Sequence, residues 1–501
     1  MKRILYFLLL SGMIAGSSSC KKFLHESSQD LIRPVTVDNY KELLQGEAYF
    51  KDLYRYGWFV DVMSDDIMLI DMQYATTVVN TKTEYTKYAY QWAQDLEAPT
   101  GTFTDRLFQT LYKNILTANT CLGAMDNMQG TDAAKKVLKG QAQFTRAYGY
   151  FALANLYAQA YNEAGDNDLC VPLTYETSPS LKKYNRATMK EVWDLISNDI
   201  ESAVQNLSTD NGARSVYEIN YKAALLLASR IFLYKEEYDK AITYGEKFLL
   251  LQPNLFNIST FTTSPNPSGT IANKAFLLVN YNPEIVFTFS KFGSASAEGG
   301  YVYYTREAVG LAPVAYGASS NVTSALINTY GTNDRRKTYW FGQPSGSPGV
   351  ILSYPAYVPM KVNYYEGCRT SQYMRSAEVY LNLAEAYARK ATPDNSKTIT
   401  LLNQLRSQRI GSYTNLTAAS FADQTALIDF VWAERRRELC FEEFHRWWDL
   451  RRTGQPALQH AWLTDVYKLL AKDPAYILNF PRYELEFNPE LVPNNRPVRN
   501  P

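Results

Sequence analysis

Apolar residues recur at helical spacing in two arms of residues 222–253, KAALLLASRIFLYKEEYDKAITYGEKFLLLQP. Leu225, Ala228, Ser229 and Phe232 mark the first arm; Tyr238, Ala241, Gly245 and Phe248 mark the second. The polar triplet Lys235-Glu236-Glu237 separates them, and Pro253 closes the second. Small residues (Ala228, Ser229, Ala241, Gly245) fall where two helices must come close, and large ones fill the gaps between. The pattern predicts an antiparallel helix pair.

The first arm has echoes. Tyr150, Leu153, Ala154 and Tyr157 keep its spacing, and so do Tyr380, Leu383, Ala384 and Tyr387. The central pair resembles a tetratricopeptide unit of ~34 residues, which cannot bury its own apolar face and so stacks on its neighbours. The expected fold is mainly α: tetratricopeptide-like helix pairs in one stack, with long insertions between them. Three ordinary amphipathic helices are the plainer alternative, and the middle copy favours repeats.

Other stretches extend the pattern. Residues 37–54 predict a first helix, 105–128 and 133–160 two longer ones. Thr188 with Glu191 has the spacing of a capping box, and Val192, Leu195, Ile196, Ile200 and Ala203 give the helix after it its period. Residues 284–290, EIVFTFS, are the best strand candidate. Residues 292–359 are rich in Gly, Ser, Pro and Tyr and read as a loop-rich lobe with a few short strands. Helices return at 375–390 and 396–410. A long helical pattern runs over 422–453, where Gly454 and Pro456 stop it.

The N-terminus reads as an export signal. Lys2 and Arg3 precede an apolar run, then small residues up to Cys20. That ending looks like a bacterial lipoprotein signal, with Cys20 acylated, although Ser17 stands where Leu is usual. The run is too short for a permanent span. Lys2 and Arg3 are the charged residues of 1–19, so removing that segment takes the formal charge from +1 to −1. A near-neutral chain has no basic field for nucleic acid. Cys121, Cys170, Cys368 and Cys440 are far apart, without a C-x-x-C pair, and read as free buried thiols by default rather than a zinc site, with a disulfide of unassigned pairing as the alternative in an exported chain.

Catalytic signatures are lacking. His25, His445 and His460 are the three histidines, none with a metal-ligand partner at i+4, and there is no G-x-S-x-G or phosphate-binding glycine loop. His445 reads as a structural hydrogen-bonding residue. Asp65 and Asp66 are adjacent, poor evidence for the separated carboxyls of a glycosidase, and read as a helix cap or a structural-ion site. Glu163, Asp166 and Asp168 offer carboxylates to a structural Ca²⁺, but their spacing departs from an EF-hand, and a solvated acidic loop is the plainer reading. No cofactor is called for. The alternating charges of 434–452 read as a salt-bridge-laced helix, with Trp432, Phe444, Trp447 and Trp448 in the core. Aromatic content is high at 14%, with 39 Tyr, which leaves rings for a binding surface.

Several motifs resemble the SusD/RagB family of outer-membrane nutrient-binding lipoproteins. They are Cys20-Lys-Lys-Phe-Leu, Phe144-Thr-Arg-Ala-Tyr-Gly-Tyr-Phe, Arg186-Ala-Thr with Glu191-Val-Trp, and Arg375-Ser-Ala-Glu-Val-Tyr-Leu-Asn-Leu-Ala-Glu-Ala. Glu434-Arg-Arg-Arg-Glu-Leu, Phe441-Glu-Glu-Phe-His-Arg, Asp449-Leu-Arg-Arg and Phe480-Pro-Arg-Tyr-Glu-Leu-Glu-Phe-Asn-Pro continue the order. The family usually has Gly where this chain has Glu443 or Phe444, and the tail lacks its common closing Gly-Tyr. The resemblance implies a signal peptide over 1–19, an acylated tether over 20–34 and a single SusD-like domain over 35–501. Within that domain 35–253 carries repeat helices, 254–374 the loop-rich lobe, and 375–501 the C-terminal helices and tail. It also implies a non-catalytic, surface-exposed glycan-binding lipoprotein of the outer membrane that serves a SusC-like, TonB-dependent β-barrel transporter. A sugar ring packs its C–H face on an aromatic plane while polar groups take its hydroxyls. Loop aromatics are therefore the candidates: Tyr74, Trp92, Tyr301, Tyr303, Tyr304 and Trp340, with Asn80 and Arg306 as polar partners and core packing as the alternative for Trp92. The alternative function is a helical-repeat scaffold or receptor that binds peptide or protein.

Overall fold

The computed structural model of the protein describes residues 34–50, 53–57, 59–69, 87–97, 105–209, 215–261, 282–289, 316–318, 325–342, 358–359, 361, 373–462 and 464–499. Near the N-terminus lie α1 (Val37–Ala48), α2 (Leu53–Gly57), α3 (Phe59–Val62) and the short strand β1 (Ile67–Leu69). The expected helix over 37–54 is thus two helices, separated at Phe50, whose φ of 54° is left-handed. Then come α4 (Arg106–Gly123), α5 (Asp132–Tyr157), β2 (Leu169–Pro172), β3 (Arg186–Thr188) and α6 (Met189–Leu207). The central pair is α7 (Tyr221–Tyr234) and α8 (Tyr238–Leu251). The lobe contributes β4 (Ile285–Thr288), β5 (Tyr316–Ala318), α9 (Arg335–Tyr339), β6 (Phe341–Gly342) and β7 (Val358–Pro359). The C-terminal part holds β8 (Tyr373–Arg375), α10 (Ser376–Arg389), α11 (Asn395–Ser407), α12 (Gln424–Leu439), α13 (His445–Arg452), β9 (Leu458–Trp462), β10 (Asp465–Leu469) and α14 (Arg482–Phe487).

Side-chain chemistry sets the helix starts. Thr188 accepts the Glu191 amide while Glu191 accepts the Thr188 amide, so the capping box over α6 is present in both halves. Thr131, Asn220, Asp394 and Asp423 accept first-turn amides of α5, α7, α11 and α12. The helices pack as pairs, α5 with α6, α7 with α8 and α10 with α11, and the pairs join where α6 meets α7 and α8 meets α10. One contiguous hydrophobic cluster runs from Val37 to Leu491. The first arm and its two echoes thus fall on α7, α5 and α10, the first helix of each pair.

Close approach explains the small residues. An added Cβ at Gly245 of α8 would lie 2.7 Å from Leu383 Cδ2, 2.8 Å from Leu383 Cγ and 3.3 Å from Ser229 Oγ. Gly46 of α1 has nothing within 4 Å of that position. Gly46→Ala is expected to raise stability by about 0.5–1 kcal/mol through helix propensity. Gly245→Ala gains the same propensity but wedges α8 from α10, and should be net destabilising by about 1–2 kcal/mol. Paired urea denaturation curves check the opposite signs.

The strands form two-stranded antiparallel ladders: β1–β5, β2–β3, β4–β8, β6–β7 and β9–β10. The strand expected over 284–290 is β4, and its partner β8 leads straight into α10. The pattern over 422–453 is not one helix. It breaks between α12 and α13, where Phe441 (φ 60°) and Glu443 (φ 45°) are left-handed. Glu443 stands at or beside the family's usual glycine, and its carboxylate is committed to the ion pairs below. Among the described residues Cys121, Cys170 and Cys440 are free, buried thiols; Cys20 and Cys368 lie outside them. No described helix is long and apolar enough to cross a membrane.

Candidate functional site

Most charged residues in the second half of α12 and in α13 are buried. Arg230 of α7 forks onto Glu378 of α10 at 2.6 and 2.7 Å and onto Glu443 at 2.7 and 2.8 Å. Tyr148 of α5 donates to the same Glu443 at 2.7 Å. Arg230 and Glu443 together therefore tie the first helices of all three pairs to the α12–α13 link. Burial alone would lower the Arg230 pKa, but the two carboxylates raise it well above the ordinary arginine value.

A second cluster reaches the lobe. Arg375 bonds Glu284 at 2.7 Å, Glu438 at 2.8 Å and both oxygens of Glu442 at 2.7 Å. Arg409 joins Glu284 and Glu438, and Arg336 of α9 joins Asp334, Glu434 and Glu438. These side chains are all buried. The expected salt-bridge-laced helix is present, but its lacing is internal, against partners spread from Asp65 to Arg409. Arg451 differs: among the described residues its guanidinium bonds the Asn155 and Ala158 carbonyls at the C-terminus of α5, where a helix end is electronegative.

The same two helices hold the base of the lobe. Arg446 forks onto Asp65 at 2.7 and 2.8 Å, and Arg436 meets Asp66 at 2.7 Å. Asp65 and Asp66 thus serve as arginine partners, in place of the cap or ion site expected for them, and they fix the turn into β1. In the β1–β5 ladder Leu69 pairs with Tyr316 and Ile67 with Ala318. In the β6–β7 ladder Phe341 pairs with Pro359. β7 lies beside β5, and β9 beside β1. In sequence, residues 70–86 follow Leu69 and residues 290–315 precede Tyr316, the two partners at one end of the β1–β5 ladder.

Of the nominated ligand residues, Tyr74, Asn80, Tyr301, Tyr303, Tyr304 and Arg306 lie outside the described residues. Trp92 and Trp340 are fully buried, so neither offers a sugar an open face. Trp92 donates its indole N–H to the Met63 carbonyl at 2.9 Å and stacks on His460 at 4.2 Å. His460 is sandwiched against Tyr90 at 4.0 Å on its other side, and its two ring nitrogens face the Tyr90 and Ser64 carbonyls. The aromatic signal at Trp92 was that of packing. Trp340 lies under Lys361, whose ammonium is 4.0 Å from the ring centroid. No local motif marks Lys361, whose partners lie some eighty residues away.

His445 is structural, as expected: burial and the nearby Arg230 and Arg435 hold it neutral, and Nδ1 faces Arg435 at 3.4 Å. Among the described residues, Glu378, Glu443 and His445 are the one group of three ligand-type side chains within 4.8 Å. Arg230 already occupies both carboxylates, which leaves no place for a cation. Glu163 pairs with Lys472 at 2.8 Å, and Asp168 accepts the Gly165 amide. Asp166 and Asp168 are exposed, as a solvated loop requires.

Two concavities stand out among the described residues. A groove of about 550 Å³ between α8, α10 and α11 is lined by Leu249, Leu250, Leu383, Leu401, Glu246 and Lys397. A cleft of about 320 Å³ is lined by Asp95, Glu97, Asp105, Phe480, Arg482 and Arg496. At its wall Asp105 caps α4 through the Leu107 amide and accepts from Tyr157 at 2.9 Å, while Glu97 accepts the Asp105 amide. Burial pushes the Asp105 carboxyl up from 3.8 to about 7, helped by the nearby Glu97 charge. The folded state therefore holds a proton that the unfolded chain releases. That stabilisation is full below about pH 4 and lost as pH rises through about 7. Asp105→Asn, which imitates the protonated acid, should remove this component: its stability relative to the parent should rise from pH 5 to pH 8. Denaturation midpoints of both proteins across that range check it.

Residues 22–233 match a family model described as starch-binding, associating with the outer membrane, and residues 297–482 match the model of the SusD family. The chain belongs to the SusD family. A curated SusD-like protein of Formosa agariphila is 24% identical over 362 residues, 63% of this chain and 66%, just under two thirds, of that protein. A SusD superfamily structure from Bacteroides thetaiotaomicron aligns with a TM-score of 0.72 at 21% identity, over 92% of this chain and 100% of that one. A structure from Bacteroides vulgatus titled a putative sugar binding protein gives 0.71 at 21% identity, over 93% and 99%. A SusD-like carbohydrate binding protein from the same organism gives 0.68 at 20%, over 92% and 98%. At these identities the structures establish the SusD fold, mainly helical with few short strands.

Proposed function

We propose that this SusD-family protein binds oligosaccharide or polysaccharide at the cell surface and passes it to a SusC-like, TonB-dependent β-barrel, breaking no bond itself. The acylated Cys20 holds one domain, residues 35–501, on the outer membrane, facing the exterior. The observation that carries the ligand site is the pairing of Leu69 with Tyr316. The stretch bearing Tyr74 and Asn80 leaves from one of these partners. The stretch bearing Tyr301, Tyr303, Tyr304 and Arg306 arrives at the other. Tyrosine rings there take sugar C–H faces, and Asn80 and Arg306 take hydroxyls. The Asp65–Arg446 and Asp66–Arg436 pairs hold the base of the lobe still, which limits the ordering cost of binding.

The leucine-lined groove between α8, α10 and α11 favours a second reading, a receptor or scaffold for a peptide or protein. Affinity electrophoresis of residues 21–501 through a polysaccharide panel, with membrane co-purification, separates the two. Retardation by one glycan class and recovery of a large β-barrel are expected. Retardation by none, with capture of a peptide instead, would overturn the glycan reading.

A further inference from the structure

Lys361 is a buried cation that ties the lobe to the C-terminal helices. Its ammonium donates to the Glu438 carbonyl at 2.7 Å, the Cys440 carbonyl at 3.0 Å and Glu442 Oε1 at 2.5 Å. Those three acceptors use its three protons. Glu438 and Cys440 end α12, where carbonyls lack intrahelical partners and the helix end is electronegative. Lys361 therefore caps α12 from a distant part of the sequence. Its remaining side faces the indole of Trp340 at 4.0 Å, a cation–π contact in a dry setting.

The topology gives that contact a mechanical meaning. Trp340 immediately precedes β6 and Lys361 follows closely after β7, and Phe341 pairs with Pro359 in the ladder between them. The cation–ring contact closes one end of this very short ladder. β7 lies beside β5, whose other edge carries β1. The path from the α12 terminus therefore runs through Lys361 and β7 to the Leu69–Tyr316 pair.

We propose that Lys361 is a positioning residue of the glycan lobe: by capping α12 and clamping Trp340, it fixes the β6–β7 ladder against the β1–β5 base. The proposal rests on the reading that this lobe binds glycan. It also explains a lysine in a site sealed from water. The flexible stem delivers a compact three-donor charge between two carbonyls, a carboxylate and a ring face, which a planar guanidinium does not match.

Lys361→Met tests it, because methionine keeps the stem while Glu442 retains Arg375 as its partner. Trp340→Phe is the second variant, leaving Lys361 and all its oxygen contacts in place. Hydrogen exchange at 341–342 and 358–361 and retention by the glycan that holds the parent protein are measured together, well below the unfolding temperature. In Lys361→Met, exchange at the ladder should rise and affinity fall, each by about tenfold, with α5 to α8 unchanged. Trp340→Phe should move both in the same direction by less. Parent-like exchange in Lys361→Met, or faster exchange with unchanged affinity, would overturn the positioning role. If the parent itself is retained by no glycan, the functional reading fails and the positioning role falls with it. The exchange data would still report whether Lys361 holds the ladder.

Discussion

Arg375→Met is expected to destabilise the protein by about 3–5 kcal/mol, the cost of breaking a buried ion pair from one side. Arg375 is buried among Glu284, Glu438 and Glu442, each of them buried. Removing it leaves three acids with Arg336, Arg409 and Lys361 alone, and removes the Glu438 carbonyl contact near the end of α12. Arg375→Lys should recover little, because an ammonium cannot present a planar fork to three carboxylates at once. Because Glu284 sits beside β4 and Glu438 on α12, the loss should be global rather than confined to one loop. The check is the midpoint and amplitude of guanidinium unfolding by circular dichroism. As a control, removing the exposed Lys190–Asp194 pair should leave the midpoint unmoved.

The second large effect concerns ligand rather than stability. Tyr301, Tyr303 and Tyr304 replaced together by alanine are expected to lower glycan affinity by about 100-fold or more. Truncating one ring that packs at the centre of an interface costs about 2 kcal/mol, and every 1.4 kcal/mol is tenfold. Three rings do not add fully, so the figure is below three times the single value. Two-thirds of the cost should appear with Tyr303 and Tyr304 alone if those adjacent rings form one platform. The unfolding midpoint should stay within a degree or two of the parent, as the proposed ligand-surface role requires. Isothermal titration with the retained oligosaccharide, beside a thermal melt, checks both halves.

The repeat architecture was legible because its determinants are local. The arms of 222–253 coincide with α7 and α8 to within a residue or two, and the capping box at Thr188 and Glu191 forms as its spacing predicts. Gly245 follows the same logic, since a helix pair that close needs a missing side chain. The break between α12 and α13 was not legible. Apolar periodicity continues across it, while the positive φ at Phe441 and Glu443 follows from carboxylates turned toward Arg230, Arg375 and Lys361. Those partners are distributed over the chain, so sign alternation alone cannot tell an inward network from a solvated face. Trp92 and Trp340 were read as ligand platforms from their loop-like surroundings. What buries them, His460 and Lys361, lies far along the chain in one case and within an irregular segment in the other.

Hydrogen exchange of the full mature protein, with and without the glycan that retards it, tests the central claim most directly. The account predicts protection at β1 and β5, at 341–342 and 358–361, and in the stretches 70–86 and 301–315, with α8, α10 and α11 unchanged. Protection confined to the groove between α8, α10 and α11, or none at any segment under saturating glycan, would contradict it.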